Sequence, residues 1–402
     1  MKQNNNLSNG NCQPFNFALT PEQKALIAPV RELVQSTFKQ QGQELLNGAF
    51  PWSNIKALAE LGILGMAVPK EYGGMELGVF ETALVLEEIA KGCYITAMAV
   101  LGEVGTQTRV ISAFAPEHLK RRFLPTVCTG ETILSICLTE PHAGTDIARY
   151  RTNAEIRSDK VILNGSKVLI SRAEEASLFV VFMRVDNKPG LDGIGCILVE
   201  KDTPGIVLSG KSHTLGGEFL HDVDFVDCAV PLENLVVREA GFKQLISAFN
   251  TQRCLNPSIS LGLAEGAFEE SVQYARTREA FDRPISEFQG IRWKLADMFM
   301  DIEVSRGLLY RACATANPFP DPFLAAAAKV KCNEMAIKVT SEAIQIHGGY
   351  GYTDNSLVSR LFRGARYGTL GGGTSETLRD LVGKRVTRNF DPVKGVMGLS
   401  GI

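Results

Sequence analysis

The chain contains no C-x-x-C pair, no H-E-x-x-H and no run of about 20 apolar residues. Each absence removes a class of protein. Without a long apolar run no membrane-spanning helix is expected. Nine cysteines (Cys12, Cys93, Cys128, Cys137, Cys196, Cys228, Cys254, Cys313 and Cys332) are scattered and odd in number, which fits a reducing compartment with the thiols as small core residues. The five histidines are scattered too, and no metal site is expected. Positive and negative side chains nearly cancel, 42 against 44, for a net charge of −2. A polyanion such as nucleic acid is therefore not an expected partner. The N-terminus, MKQNNNLSNGNCQPFNF, has neither the apolar centre of a secretory signal nor an Arg-rich amphipathic pattern. It reads as a flexible tail over residues 1–18, and the protein as cytoplasmic.

What is present is globular: 402 residues, 45% hydrophobic and 21% charged, a length that suits about two or three domains. Residues 19–133 read as a helical domain. Thr20-Pro21-Glu22-Gln23 sets a capping residue before a first-turn proline. An apolar periodicity runs from Leu26 to Phe38. VFETALVLEEIAKG (79–92) is an amphipathic helix closed by glycine, and the helical pattern continues from Ala113 to Leu124. Residues 134–238 change to short β-rich runs, among them KVILNGSKVLIS and LFVVFMRV, and read as a barrel or sandwich. Residues 239–390 return to long helical runs (242–276, 288–315 and 323–346), the pattern of an antiparallel bundle, with a tail at 391–402. The fold class is α+β multidomain, in the order helical, β, helical.

Three stretches carry chemistry. LTEPHAGTD (138–146) ends a strand in a glycine turn, where backbone N–H groups and the hydroxyls of Thr139 and Thr145 suit a planar heteroaromatic ring; an ordinary polar turn reads the same. QIHGGYGY (345–352) sets paired glycines at a helix end, where backbone approaches phosphate closely, although glycine there commonly only ends a helix. RTREAFDRPISEFQ (276–289) gathers Arg276, Arg278 and Arg283, which suit a pyrophosphate or a solvated basic turn.

LGILGMAVPKEYGG (61–74), LTEPHAGTD, TREAFDRPISEFQ, QIHGGYGY and GTSE (373–376) together resemble the acyl-CoA dehydrogenase family in order and spacing, from about Leu19 to about Arg388. The resemblance implies an N-terminal helical domain, a middle β domain, a C-terminal four-helix bundle, bound FAD and a homotetramer or homodimer. Residue by residue, it sets Ile136, Cys137, Leu138, Thr139, Gly144 and Thr145 against the flavin ring. Leu169, Ile170 and Ser171 match a Trp-Ile-Thr segment. Arg278, Phe281 and Gln289 match contacts to the FAD of a neighbouring subunit, and Gln345, Gly348 and Gly349 match contacts to its diphosphate and adenosine part. Thr374, Ser375 and Glu376 match contacts near the flavin. Asn250 and Arg253, with Thr145, Gly372 and Gly373, fall on the substrate side.

The resemblance implies removal of two hydrogens from an acyl thioester, with a carboxylate base for the α-proton. In most members that Glu directly precedes Gly-Thr; here the position is Gly372. In other members it lies on the preceding long helix, just before an Arg; here that position is Gln252. Both places lack a base. Glu376 would serve only in a shifted register. Glu103, in VLGEVG, is a weak candidate that also reads as an ordinary exposed helix residue, and His142 is a turn histidine that also reads as structural. The backbone N–H of Gly372 survives as an oxyanion donor. Glu218, in KSHTLGGEFLHDVDF (211–225), stands near an expected Arg, which favours a carrier-protein thioester or a non-thioester substrate over ordinary CoA binding. Three functions follow: an acyl-thioester oxidoreductase with a non-standard base, using a flavoprotein or O₂ as electron acceptor; a flavin monooxygenase or oxidase on the same fold; or a catalytically silent FAD-binding subunit. Specialised biosynthesis suits the first.

Overall fold

The computed structural model describes residues 18–238, 240–393 and 395–396. Residues 1–17 of the first tail, Cys12 among them, and 397–402 of the second lie outside the described residues. The N-terminal helical region comprises α1 (Pro21–Leu33), α2 (Lys39–Gln41), α3 (Trp52–Glu60), α4 (Val79–Ala90), α5 (Tyr94–Val104), α6 (Thr106–Phe114) and α7 (Glu117–Thr129). Thr20 caps α1 as its sequence implies: its hydroxyl accepts from the Gln23 N–H at 3.2 Å, and the Gln23 side chain accepts from the Thr20 N–H at 3.0 Å. The run Ala113–Leu124 is not one helix. Pro116 drives Ala115 into extended backbone (ψ 148°), which ends α6 and starts α7.

The middle region holds β1 (Leu134–Cys137), β2 (Asn153–Arg157), β3 (Lys160–Ser171), β4 (Leu178–Val185), β5 (Ile194–Glu200), β6 (Ile206–His213), β7 (Phe219–Pro231) and β8 (Leu235–Val237). They form one mixed sheet in the order β6-β7-β3-β2-β4-β5-β8, with β1 also paired to β4. β1 and β2 run parallel to β4, and the other pairs are antiparallel. β4 is buried at every position because both sheet faces are covered. Leu178, Val180 and Phe182 join α6, α7 and the later helix α8 (Phe242–Phe249) in one core; Phe179, Val181, Met183 and Val185 join β3 and β7 in another.

The C-terminal region follows with α8, α9 (Gln252–Thr277), the small hairpin β9 (Glu279–Ala280) and β10 (Arg283–Pro284), α10 (Gln289–Ala314), α11 (Pro322–His347), α12 (Leu357–Ala365) and α13 (Ser375–Asn389). α9, α10 and α11 pack on one another, and α12 and α13 close the bundle against α9 and α11. The run 242–276 is two helices: at Asn250–Thr251 the bonding tightens to short i→i−3 links, Arg253 N–H to Asn250 O and Cys254 N–H to Thr251 O. The interruption falls beside the residues expected to face substrate.

One apolar core spans α1, α3, α4 and α5 and the helices α9 to α12. α9 lies directly on α4 because Gly262 and Gly266 carry no side chain there; a Cβ at either would overlap the backbone carbonyls of Glu87 and Lys91. Half-buried ion pairs flank the same seam, Lys91 to Glu265 at 2.8 Å, with Arg306 of α10 joining Glu265 at 3.0 Å. Gly262→Ala is expected to lower the unfolding free energy by about 1–3 kcal/mol through overpacking. Urea denaturation checks this, as a shifted midpoint with unchanged slope.

Candidate active site

The segment that follows β1 is tied to β3 by a buried cation. Lys167 donates from Nζ to the Leu138 carbonyl and to Glu140 Oε1, both at 2.8 Å, and lies 3.8 Å over the Tyr150 ring. Glu140 also accepts from the backbone N–H groups of Arg151 (2.7 Å) and Thr152 (3.1 Å). Burial pushes the Lys167 amine down to about 8, against the opposing charge of Glu140. The Val168 N–H donates to the Thr139 carbonyl, so Leu138, Thr139 and Leu169 come side by side. Leu169 bulges out of β3 with φ +58° and is 56% exposed. Strand alternation turns Cys137 and Ile170 the other way: both side chains sit in the core between β3, β4 and β7, so only their backbones border this surface. Gly144 and Thr145 are exposed in the loop. His142 Nε2 donates to the Arg149 carbonyl (3.2 Å) beside Glu140, a structural contact.

A second group lies apart. Arg278, Gly348 and Gly349 line one groove with Tyr274, His347 and Thr353. Phe281, Gln289 and Gln345 are exposed nearby in sequence but do not line it.

The two positions expected for the base converge. A Cβ on Gly372 would stand 3.4 Å from Gln252 Cγ and 3.5 Å from Lys329 Cε. Gly372 has φ +71° and Gly373 φ +96°, the left-handed backbone that glycine adopts freely. Gln252 also meets the end of α5, its Oε1 3.5 Å from a Cβ built on Gly105. Arg253 Nη1 donates to Asn250 Oδ1 at 2.9 Å, and Nη2 stands 4.0 Å from a Cβ on Gly373. Thr374 caps α13 through its hydroxyl, which accepts from the Thr377 N–H at 3.3 Å. Glu376 is exposed in the first turn of α13, and its own backbone N–H and the Thr374 hydroxyl hold its carboxyl below the usual range. It is an ionised helix-start residue rather than a tuned base. Among the described residues, Ser375 Oγ, Arg253 Nε and Thr251 Oγ1 are buried without a hydrogen-bond partner, which leaves each free to bond a ligand or a water.

The expectation that Glu103 is an ordinary exposed helix residue is wrong. Its side chain is fully buried, with Oε1 3.0 Å from Arg172 Nη1 and both oxygens accepting from the Leu134 N–H at 3.2 and 3.3 Å. Burial pushes it up to about 7, against the pull of Arg172 and the Leu134 N–H. The partner lies 69 residues away on another domain, so helical periodicity carries no sign of it. Glu218 turns inward as well, accepting from the Tyr94 and Thr214 hydroxyls, both at 2.8 Å.

Two residues escape sequence reasoning: Arg172, directly after Ser171, and Lys329, in AAAAKVKC. Lys329 is 1% exposed and donates to the carbonyls of Gly368 (2.7 Å) and Gly373 (3.0 Å), the two ends of the glycine loop. A charged residue among four alanines is the one signal it leaves. Burial, with Arg253 nearby, pushes its amine down to about 7. The unfolded chain, with an amine near 10.4, binds more protons between about pH 7 and 10, so this group makes stability rise with pH across that window. Unfolding free energies of the wild type are expected to climb there relative to Lys329→Met. Equal slopes would show that the ammonium is solvated.

Three domain models of the acyl-CoA dehydrogenase family match the chain: the N-terminal domain over residues 20–131, the middle domain over 135–228 and the C-terminal domain over 239–387. The chain is 35% identical over 380 residues to the 3-sulfinopropanoyl-CoA desulfinase of Cupriavidus necator, covering 91% of this chain and 95% of that one. It is 32% identical over 379 residues to the short-chain-specific acyl-CoA dehydrogenase of Clostridium acetobutylicum, covering 93% and 100%. Among solved structures, butyryl-CoA dehydrogenase from Megasphaera elsdenii superposes with a TM-score of 0.88 at 32% identity, over 93% of this chain and 100% of that one. The chain belongs to the acyl-CoA dehydrogenase family of flavin-dependent acyl-thioester oxidoreductases.

Proposed function

We propose that this protein binds FAD and an acyl thioester and breaks a substrate bond without a carboxylate base. The observation that carries the reading is the pairing of Gly372 with Gln252. The two positions where the family's base is expected face each other, and neither can take a proton near neutral pH.

The residues fit the cofactor. The hydroxyl of Ser171 and the exposed face of Leu169, with the backbone of Leu138 and Thr139, border the place for the ring; the orphaned Ser375 hydroxyl and the α13 start follow. Gly348 and Gly349 leave open space where a Cβ would stand, beside Arg278, which suits the diphosphate of a second subunit's FAD. Trp293, Phe299, Met300 and Val304 on α10 are each more than half exposed, which supports a homodimer or homotetramer through that face. When bound, FAD supplies a hydride donor or acceptor. The chain supplies the rest. The Gly372 N–H polarises the thioester carbonyl, Lys329 holds the loop that presents it, and Arg253 and Asn250 border the thioester side. Glu218 is held inside by two hydroxyls, so it leaves carrier-protein and CoA thioesters both open to this site.

Without a base the electron pair that a C–H bond would release comes from another bond. A substrate that loses its carboxylate as CO₂, or its sulfinate as SO₂, leaves the bonding electron pair on the acyl carbon, which then takes up a proton from solvent, so no α-proton is abstracted. The relative named as a 3-sulfinopropanoyl-CoA desulfinase supports this reading.

The test is an anaerobic titration of the FAD-loaded protein that follows the oxidised-flavin absorbance. Butyryl-CoA is expected to leave the wild type oxidised. Gly372→Glu is expected to raise its reduction rate by about 10²–10⁴-fold. The new Cβ makes only ordinary contacts, but the φ of +71° strains any L side chain there, so the variant is first shown to fold and to hold FAD. Reduction of the wild type as fast as the variant would overturn the proposal.

A further inference from the structure

Beside Ser171 the chain buries a guanidinium that neither flavin binding nor carbonyl polarisation uses. Arg172 has φ +61°, and its side chain, 11% exposed, lies against α5. Nη1 donates to the Ala99 carbonyl and to Glu103 Oε1, both at 3.0 Å. Gly102 makes this possible: a Cβ there would overlap the guanidinium. Gly102, Glu103 and Arg172 are thus a matched set. Nε and Nη2 have no hydrogen-bond partner among the described residues. They border a cleft walled by Phe50, Ile95, Met98, Ala99 and Phe219, an apolar surface. α5, which forms that wall, ends against Gln252, which in turn meets Gly372. Ser171 lines the cleft as well, and Tyr367, which packs on Gly371 in the glycine loop, lies within electrostatic reach of Arg172, so the cleft lies close to the place proposed for the thioester.

The two unused nitrogens are open to the cleft, where an acceptor can meet them. The planar fork of the guanidinium matches an oxyacid. We propose that Arg172 receives an anionic group, a carboxylate or sulfinate, at the far end of a short acyl chain through Nε and Nη2. This names the substrate class for the function proposed above and rests on that reading. Glu175 and Glu218 line the same cleft, and Tyr94 and Tyr367 stand beside it. Those carboxylates repel an anion docked anywhere except on Arg172, which sets its register. Glu103 is the competitor for Arg172. Burial pushes its carboxyl up to about 7, so as pH falls through that value it takes a proton and releases its hold on the guanidinium.

The experiment is calorimetric binding to the FAD-loaded protein under anaerobic conditions. The ligands are succinyl-CoA, glutaryl-CoA and 3-sulfinopropanoyl-CoA, with butyryl-CoA as the uncharged comparison and 4-aminobutyryl-CoA as the cationic one. The wild type is expected to prefer at least one anionic thioester over butyryl-CoA by about tenfold or more; which arm binds tighter separates carboxylate from sulfinate. Arg172→Met is expected to remove the preference while butyryl-CoA binding stays. The Glu103→Gln, Arg172→Met double variant gives the same reading without a stranded buried carboxylate, should the single variant fail to fold. Affinity for the anionic thioester should rise from about pH 8 to about pH 6 in the wild type, and Glu103→Gln should bind tightly and flatten that dependence. No preference, a preference for the cation, or a preference that survives loss of Arg172 would overturn the inference alone. Failure of every thioester to bind would overturn the acyl-thioester reading, and this inference with it.

Discussion

A buried lysine amine governs the geometry of this site. Lys329 joins the carbonyls of Gly368 and Gly373 across the glycine loop. Asn333 adds a second donor to Gly368, at 2.6 Å, and meets Asn256 on α9 at 3.2 Å. The loop is thereby fixed to both α9 and α11. A stretch of consecutive glycines would otherwise be the most mobile backbone in the bundle, since glycine loses the most conformational freedom on ordering. Everything proposed for Gly372 depends on that anchoring, because a backbone N–H can polarise a carbonyl only where its direction is held.

The same economy runs through the rest of the site. Charges are buried here in pairs that tie distant segments together: Lys167 with Glu140 beneath the loop after β1, and Arg172 with Glu103 between the sheet and α5. Such pairs add little net stability, because desolvation offsets their attraction, but loss of one partner is costly. Their value is positional. Each sets a backbone segment where a cofactor or acyl chain would lie.

Much of this was legible in the chain. The Thr20 cap and the order of helical, β and helical regions rest on local patterns, and both are present; that the two positions matched to the base, Gly372 and Gln252, meet in space is added by the fold. The failures have a common cause. Glu103 reads as exposed because periodicity reports on one helix and not on Arg172, which arrives from another domain. Cys137 and Ile170 sit in the segments proposed to border the flavin, yet strand alternation points their side chains into the opposite core. Lys329 looks like a surface lysine on an alanine-rich helix until the glycine loop folds over it. The single run over 242–276 splits because tight i→i−3 bonds at Asn250–Thr251, with an Arg253 to Asn250 side-chain bond beside them, outweigh helical propensity.

The central claim is that this site holds an acyl thioester without a carboxylate placed to remove its α-proton. Hydrogen–deuterium exchange at the α-carbon of bound butyryl-CoA, followed by mass spectrometry in D₂O, tests it most directly. The account predicts that the FAD-loaded wild type leaves the α-hydrogens in place while Gly372→Glu exchanges them. Exchange by the wild type at the rate of the variant would contradict it, and would show that Glu103, Lys329 or another group serves as the base.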